Sequence, residues 1–377
     1  MKIVLFEYAT SGGADGPSAP ALGLSAPGSS APPLGLSALA REGELMLYAL
    51  GRGLSAMDGV RLVTVRDARL PPPDYPTGLA WVRAGDDCAA VVGAALEDAD
   101  AFWPVAPETG GLLAQFCRLA RGGSCLLLNS PAPVVEKAGG KYSAFLRLRQ
   151  NGVRCVETAR LGDLRFPQDR DLVVKPDDGA GCESVYLLRA GESPPRGSLR
   201  GNHLCQPYLP GVAASLNVIY PSTGAPYIIG ANRQEVTLDA PDAPNVPDAA
   251  NAAKTPDAAN AAHAANAPKE GGRFRLRACH VNALAREALG FEELAAGVQR
   301  SFPGIVGHVG IDLIVDGDNT LHLLEINPRV TTSFAGLAAS TGLNPCAEVI
   351  RAVRGEACTP VSRRRFVPVE VRLDGAA

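Results

Sequence analysis

A hairpin near the end of the chain constrains the fold more than any other stretch. Two apolar runs, residues 310–315 and 320–326, flank a short polar turn at residues 316–319 that contains glycine. β-forming residues on both sides of such a turn indicate two antiparallel strands. With two or four residues in the loop, the predicted register pairs Asp312 with Leu323.

The predicted hairpin gathers oxygen-bearing side chains on one face. Side chains alternate between the faces of a strand, so Asp312 shares a face with Glu325 and Asn327. Burying two carboxylates together costs free energy unless a positive group joins them, and Mg²⁺ bridged to phosphates is the natural partner. Arg329, turned outward after Pro328, could bind a phosphate through two hydrogen bonds. The alternative is a solvated hairpin with acids at its rim.

The composition is that of a globular chain of 377 residues, long enough for two or three domains. A 46% share of hydrophobic residues excludes wholesale disorder, and a net charge of -3 gives no basic surface for nucleic acid. The nine cysteines are dispersed without a C-x-x-C pair, which disfavours a zinc site and predicts reduced thiols in the cytoplasm. No apolar run is long enough to span a membrane.

Residues 1–130 alternate short apolar strands with helical segments, which predicts a parallel sheet in one small α/β domain. The first strand ends near Glu7, and Ser11 lies in the glycine-containing turn that follows. Residues 14–37 and 239–272 are instead repetitive and low in complexity, so we expect flexible insertions there.

Two lysines are candidates for binding phosphate. Lys175 leaves an apolar strand just before a loop with Gly179 and Gly181, so its ammonium and the N–H groups of the loop could meet one anion. Lys141 opens a helix that runs to about residue 150. The alternatives are an ordinary flexible loop and a lysine on a helix surface. The loop is not a Walker A motif, which requires Gly-x-x-x-x-Gly-Lys-Ser/Thr.

Three further residues are weaker candidates. The main chain around Gln206 and Tyr208 could read the edge of an adenine, although nothing intrinsic to these residues requires it. Arg233 directly follows the apolar run of residues 227–231, so it is a candidate for binding a phosphate or a carboxylate. The alternative for Arg233 is a solvated strand end.

Taken in this order, the segments resemble the ATP-grasp superfamily of carboxylate–amine ligases. The likeness covers nearly the whole chain outside the two insertions. It is carried by Gly140-Lys141, by the Val-Val-Lys-Pro-Asp-Asp-Gly-Ala-Gly segment at residues 173–181, by the Gln-Pro-Tyr-Leu-Pro-Gly segment at residues 206–211 and by Glu325-Ile326-Asn327-Pro328-Arg329. Two departures are Gly140, where the family usually has Asp, and residues 211–215, which lack the acid often found there for the ribose.

The resemblance implies an ATP-grasp fold, α+β in its ATP-binding part, preceded by a small parallel-sheet α/β domain. The two implied lobes are residues 131–205 and 206–377. The resemblance implies small-molecule substrates, ATP and Mg²⁺, with Mn²⁺ as an alternative ion; it leaves a homodimer open. For the nucleotide, the resemblance implies that Lys141 and Lys175 bind it, that Gly179 and Gly181 cover its phosphates, and that Gln206 and Tyr208 bind its adenine. It implies that Asp312, Glu325 and Asn327 bind the metal. The implied catalytic residues are Lys175 and Arg329, and Arg329 acts on the transferred phosphoryl group.

Within the superfamily, the sequence most resembles the tyramine–L-glutamate ligases of methanofuran and methylofuran biosynthesis. That likeness implies an amide between the γ-carboxyl of glutamate and tyramine. Glu7 and Ser11 are then candidates for contacting the amine, with a purely structural loop as an equal alternative. Two rival hypotheses remain, a ligase for another amino acid or peptide with a different amine, and a nucleotide-binding protein without catalysis. The likeness is carried by Phe6-Glu7-Tyr8-Ala9, Ser11-Gly12-Gly13, Arg41-Glu42-Gly43, Met46-Leu47 and Asn232-Arg233-Gln234.

Overall fold

The computed structural model describes residues 1–13, 38–120, 125–161, 169–179, 184–192, 202–239, 272–284, 290–359 and 366–373. The predicted insertion at residues 14–37, residues 240–271 of the second insertion and Gly181 lie outside these segments.

The first part of the chain forms a parallel sheet with the strand order β3-β2-β1-β4-β5 in the described segments. The chain runs from β1 outward to β3 and returns on the other side of β1 as β4. The carboxyl ends of β1 and β4 therefore border the point where the strand order reverses, which is where open α/β sheets bind ligands. The strands are β1 (Lys2–Glu7), β2 (Arg61–Asp67), β3 (Gly78–Val82), β4 (Ala101–Val105) and β5 (Leu126–Leu127).

Helices cover both faces of this sheet, as expected for buried parallel strands. Side chains of β1 alternate between two apolar clusters, so Leu5 belongs to the same cluster as Leu47 of α1, whereas Phe6 contacts Phe116 of α3 with ring centroids 4.2 Å apart. The helices of this part are α1 (Ala38–Ser55), α2 (Cys88–Leu96), α3 (Leu112–Leu119) and α4 (Ala132–Gly139).

The remaining described strands form one mainly antiparallel sheet in the order β14-β13-β10-β11-β12-β8-β7-β9-β6, with β15 beside β12. The parallel sheet followed by this α+β part confirms the predicted fold class; the lobe boundaries stay a prediction. The strands are β6 (Ala159–Arg160), β7 (Leu172–Pro176), β8 (Tyr186–Leu188), β9 (His203–Pro207), β10 (Val212–Tyr220), β11 (Tyr227–Asp239), β12 (Gly272–Val281), β13 (Gly307–Val315), β14 (Leu321–Asn327) and β15 (Val369–Arg372), and the helices are α5 (Lys141–Gln150), α6 (Phe291–Ser301), α7 (Leu337–Thr341) and α8 (Pro345–Val353).

The predicted hairpin is β13–β14, but its register differs from the predicted one. Leu313 pairs with Leu323, and Asp312 then pairs with Glu325, so Leu324 forms a bulge between the two pairs. The prediction that Asp312 lies opposite Leu323 is therefore wrong. Residues 154–156 cause the difference, because their main chain forms two hydrogen bonds of 3.0 Å with Leu323 on its outer edge. The bulge sets the two carboxylates directly opposite each other.

Strand β11 also extends further than the apolar run of residues 227–231 predicts. It continues through Arg233 to Asp239, whose carboxylate accepts ion pairs from Arg275 (2.8 Å) and Arg277 (3.1 Å) of β12. The second low-complexity insertion thus begins at the far end of a long hairpin. Arg233 lies within the sheet instead of at its end.

Candidate active site

The β13–β14 hairpin brings the three predicted metal ligands together. Asp312 and Glu325 are paired across the strands, and Asn327 Nδ2 donates a hydrogen bond of 2.8 Å to Asp312 Oδ2. Gln234 of β11 donates from Nε2 to Asp312 Oδ1 at 2.9 Å. Carboxylate and amide oxygens are the ligands that a hard divalent cation prefers, so this set fits Mg²⁺.

The electrostatics of the pair also fit a cation. Burial, and then the neighbouring Glu325 carboxylate, raise the pKa of Asp312 to about 7. Burial acts to raise the pKa of Glu325 as well, but Lys141 and Lys175 outweigh burial and hold that pKa below its ordinary value. Two carboxylates this close destabilise each other's charged form. A bound divalent cation would offset this repulsion.

Lys141 and Lys175 reach the same carboxylate from different elements. Lys175 Nζ, near the end of β7, lies 3.3 Å from Glu325 Oε2, and Lys141 Nζ, at the start of α5, lies 3.7 Å from it. The two lysine side chains are only 7% and 9% exposed, and burial lowers the pKa of Lys175 against the attraction of Glu325. Each ammonium has three donors, so two that share one oxygen retain donors for a further anion.

The loop after β7 is tied to the start of α5. Asp177 Oδ1 accepts the Tyr142 N–H at 2.9 Å, and Lys141 Nζ donates to the Gly179 carbonyl at 2.5 Å. The N-cap position of α5 is Gly140, which has no side chain to cap the helix. Asp177 therefore supplies the cap that Gly140 lacks, and the same contacts set the direction of Lys141.

Gln206 and Tyr208, the predicted adenine-binding residues, are engaged in contacts within the fold. Gln206 lies inside β9, and its Nε2 donates to Thr158 Oγ1 at 2.8 Å. The Tyr208 N–H donates to the Asp171 carbonyl at 2.9 Å, and its ring stacks on Phe274 with centroids 6.5 Å apart. The side chain of Gln206 thus supports the sheet, and the adenine-binding role stays a prediction about the main chain.

Arg329 lies at the junction of the two sheets. Its Nε donates to Glu108 Oε1 at 3.0 Å, and its Nη1 donates to the Val330 carbonyl at 3.2 Å. Glu108 follows β4 and comes 221 residues earlier in the chain. Burial acts to lower the pKa of Arg329, but Glu108, Glu42 and Glu7 together outweigh burial and raise it. The guanidinium is therefore charged and surrounded by carboxylates of the first domain.

Glu7 lies at the carboxyl end of β1, within electrostatic range of Arg329. Its carboxylate accepts hydrogen bonds of 2.8 Å from both the N–H and the hydroxyl of Thr10, which closes the turn after the strand. Burial raises its pKa to about 7. A Cβ atom on Gly43 of α1 would lie 2.4 Å from Glu7 Oε2, so only glycine lets α1 approach this carboxylate so closely. Glu7 thus has a structural contact, and a substrate contact stays a prediction.

The other two predicted substrate residues lie away from the hairpin acids. Ser11 is fully buried, and its hydroxyl donates to the Val65 carbonyl at 2.7 Å. Arg233 and Gln234 are neighbours in β11, so their side chains point to opposite faces of the sheet. Because Gln234 contacts Asp312, Arg233 lies on the face opposite to the metal ligands.

Two residues of this site, Gln234 and Glu108, are not among the site residues predicted from the sequence. Gln234 lies beyond the predicted strand of residues 227–231. In the longer strand β11, the alternation of side chains places Gln234 on the face of Asp312. Glu108 has no local signal, since it meets Arg329 only through the packing of the two sheets. Its place just past a parallel strand, at the carboxyl edge of the sheet, is the one pattern that could have indicated it.

Comparison with protein-family models gives two matches in sequence order. Residues 60–135 match the pre ATP-grasp 3 domain, and residues 138–333, more than half of the chain, match an ATP-grasp domain. The chain belongs to the ATP-grasp family. The predicted class of enzyme, an ATP-dependent ligase, is confirmed at the level of the family. A search of curated proteins found no significant match.

Solved structures with the same fold include the following three. An ATP-grasp superfamily protein from Archaeoglobus fulgidus has a TM-score of 0.63 at 19% identity and covers 99% of this chain and 92% of its own. An L-amino acid ligase from Bacillus licheniformis has a TM-score of 0.54 at 14% identity, covering 94% and 74%. The biotin carboxylase domain of 2-oxoglutarate carboxylase from Hydrogenobacter thermophilus, crystallised with MgADP and bicarbonate, has a TM-score of 0.60 at 14% identity, covering 96% and 71%. At these identities the likeness shows the fold alone.

In the described part of the chain, no helix is long and apolar enough to cross a membrane. Every cysteine within those segments is a free thiol, as the dispersed spacing predicts.

Proposed function

We propose that this ATP-grasp protein is an ADP-forming ligase that joins a carboxylate to an amine through an acyl phosphate. A carboxylate oxygen of the substrate attacks the γ-phosphorus of ATP, and ADP leaves with the bonding electrons. The amine nitrogen then attacks the acyl carbon, inorganic phosphate leaves, the nitrogen loses a proton, and an amide remains. The observation that carries the proposal is the convergence of Lys141 and Lys175 on Glu325, which pairs with Asp312 across the hairpin and precedes Arg329 by four residues in the chain.

The residues of the chain would act by position and charge. The ammonium groups of Lys141 and Lys175 are held in a buried setting, where a charge-assisted hydrogen bond to a phosphate oxygen is strong. Arg329 would stabilise the negative charge on the phosphoryl group during transfer. Neither step requires a nucleophilic side chain, because phosphoryl transfer depends on positioning and electrostatic stabilisation.

Asp312, Glu325 and Asn327 would hold Mg²⁺, with Mn²⁺ as an alternative ion. When bound, such an ion neutralises phosphate charge and orients the phosphate oxygens. The support is the paired arrangement of the two carboxylates and the raised pKa of Asp312, both of which a cation would accommodate. Gln234 and Asn327 hold the Asp312 carboxylate in place through their amide groups.

The carboxyl edge of the first sheet supports an amine as the second substrate. Glu7 is the last residue of β1 and Glu108 follows β4, and these two strands border the point where the strand order reverses. Together with Glu42 they place three carboxyl groups around the guanidinium of Arg329, of which Glu7 is only partly ionised near neutral pH because burial raises its pKa to about 7. An excess of negative charge beside the phosphoryl-transfer site favours a substrate that carries an ammonium group.

The specific pair that we propose is the γ-carboxyl group of L-glutamate and tyramine, as in methanofuran and methylofuran synthesis. Its support is the sequence likeness carried by residues 6–13, 41–47 and 232–234. A rival is a ligase for another amino acid or peptide with a different amine; the fold shared with an L-amino acid ligase is compatible with it. A nucleotide-binding protein without catalysis is the second rival. We further propose a cytoplasmic location and a homodimer, the latter testable by light scattering.

Mass spectrometry of the products decides among these substrates. The full chain is incubated with ATP, Mg²⁺, L-glutamate and one of several amines, and ADP release is followed in parallel. We expect the mass of γ-glutamyltyramine and ADP release that depends on tyramine. A different amide with another amine refutes the specific pair but supports the ligase, whereas binding of ATP without ADP release under any pair supports the non-catalytic rival.

Substitutions in the site test the assignment of residues. Lys175→Ala and Glu325→Ala should reduce ADP release by about 10²-fold or more, because each removes a charged group from the proposed phosphate-binding site. The matched controls are Lys137→Ala and Glu293→Ala, which change exposed residues of α4 and α6. Unchanged ADP release in either site variant would show that the active site lies elsewhere.

A further inference from the structure

Behind Arg329 lies a buried polar network that the proposed chemistry does not use. His308, near the start of β13, is 1% exposed, Asn217 of β10 is fully buried and Ser333, in the segment after Arg329, is 3% exposed. His308 Nδ1 lies 3.0 Å from the Arg329 carbonyl oxygen, and His308 Nε2 lies 2.9 Å from the side-chain amide of Asn217. The same amide lies 3.0 Å and 3.2 Å from Ser333 Oγ.

The contacts determine where the protons are. A carbonyl oxygen can only accept, so His308 Nδ1 must carry a hydrogen. Burial, together with the charge of Arg329, lowers the pKa of His308 to about 4, so the ring is neutral and Nε2 must accept. The placed amide of Asn217 has Oδ1 beside Nε2 and Nδ2 beside Ser333 Oγ, so a half-turn of the amide is required to bring an N–H to Nε2 and the oxygen to the Ser333 hydroxyl. The oxygen and nitrogen of an amide are told apart by their hydrogen-bond partners, and only the turned orientation gives both His308 Nε2 a donor and the Ser333 hydroxyl an acceptor.

The network clamps the segment that carries Arg329 at two points. His308 donates to the carbonyl of residue 329, and Asn217 accepts from the hydroxyl of Ser333, so β10 and β13 hold both ends of the segment. The ring of Phe334 packs edge-on against His308 with centroids 5.1 Å apart, which leaves the imidazole little freedom. A fully satisfied buried network rigidifies the chain around it.

We propose that His308 is a positioning residue that, as the neutral Nδ1–H tautomer, fixes the main chain of Arg329 and thereby aims its guanidinium at the phosphoryl group in transfer. The aim of the guanidinium rests on the proposed ligase function. The clamp itself is a property of the folded chain and can be measured without substrates.

Two variants separate the two nitrogens of His308. In His308→Asn, the amide N–H takes the place of Nδ1–H and can still donate to Arg329; in His308→Gln, the amide reaches the place of Nε2 and loses that contact. We expect kcat for ADP release to stay within about threefold of the wild type for Asn and to fall about 10- to 100-fold for Gln, as a small misplacement of a catalytic group does. KM for ATP should change little in both, because Lys141 and Lys175 are untouched.

Three outcomes would overturn the proposal. One is wild-type kcat in His308→Gln; the second is an equal loss of kcat and melting temperature in both variants, which indicates a merely structural role. The third comes from ¹⁵N NMR of the full, histidine-labelled chain, in which His308→Gln identifies the resonance. We expect a neutral Nδ1–H tautomer that does not titrate across neutral pH, and a charged ring or an Nε2–H tautomer would refute the clamp. If the wild type releases no ADP with any substrate, the NMR result alone decides, and only the proposed function fails.

Discussion

Lys175→Met should lower activity without lowering stability, and the structure sets the size of both effects. Lys175 lies 3.3 Å from Glu325, so with an effective dielectric constant of roughly 20 their attraction is about 5 kcal/mol. Removing an ammonium from water costs several kcal/mol, which cancels most of that attraction. Methionine has a similar length and no desolvation cost, and Glu325 keeps Lys141 at 3.7 Å. We therefore expect the free energy of unfolding to change by less than ~2 kcal/mol.

Activity should respond quite differently to the same substitution. Loss of one preorganised charged donor from a phosphoryl-transfer site should reduce kcat by about 10²- to 10³-fold. ADP release at saturating substrate measures kcat, and urea unfolding followed by circular dichroism measures stability. Lys137→Met, on the exposed face of α4, is the control and should change neither quantity.

The combination of results decides what Lys175 does. If the free energy of unfolding falls by more than about 3 kcal/mol, as happens when a buried charge loses its partner, Lys175 is a structural partner of Glu325. Full activity in a stable Lys175→Met variant would refute the phosphate-binding role. Only low activity in a stable protein agrees with a lysine kept buried for a ligand.

Three further predictions concern the first domain. Burial raises the pKa of Glu7 from 4.5 to about 7, so the folded state binds an extra proton and wild-type stability should fall as pH rises from about 4.5 to about 7. Glu7→Gln cannot titrate at this position, so its free energy of unfolding relative to that of the wild type, measured by urea unfolding, should increase by up to ~3 kcal/mol over that pH range. A difference that stays constant with pH would contradict the raised pKa of Glu7. Gly43→Ala should lower the melting temperature because its Cβ would meet Glu7 at 2.4 Å, whereas Gly93→Ala, in α2 with open space around it, should raise it by the helix propensity of alanine; the same sign in both would contradict the close approach. Glu108→Gln should reduce kcat about tenfold with little change in KM for ATP, because Arg329 loses its charged partner, and steady-state ADP release checks this; an unchanged kcat would leave Glu108 no role in catalysis.

The convergence of the hairpin acids could be predicted because it depends only on a local rule. Alternation along a strand places Asp312 with Glu325 and Asn327 whenever the hairpin forms. The register could not be predicted, because the bulge at Leu324 goes with hydrogen bonds between Leu323 and residues 154–156, about 170 residues earlier in the chain. The three side chains therefore lie together as alternation predicts, whereas the predicted pairing of Asp312 with Leu323 does not occur in the structure.

The partners of Arg329 show the same limit more strongly. The sequence around Arg329 predicts a guanidinium placed to bind phosphate, but neither Glu108 nor His308 could be assigned to it from local pattern. Both meet Arg329 only because separate strands, β4 and β13, end or begin at the same junction. Distant contacts of this kind depend on the packing of whole sheets, for which one sequence carries no periodic signal.

The segment that follows β4 makes the first domain part of the site. Glu108 accepts a hydrogen bond from Arg329. It also packs closely against Gly139, since a Cβ atom added to Gly139 would lie 2.7 Å from Glu108 Cγ. The next residue, Thr109, donates its hydroxyl to the Asp178 carbonyl at 2.5 Å in the loop after β7. One short segment thus touches the arginine, the turn before the Lys141 helix and the proposed phosphate loop. Because one segment of the first domain contacts all three, a shift of that domain would move them together. The domain that carries the carboxyl groups proposed for the amine therefore also contacts groups proposed to bind ATP.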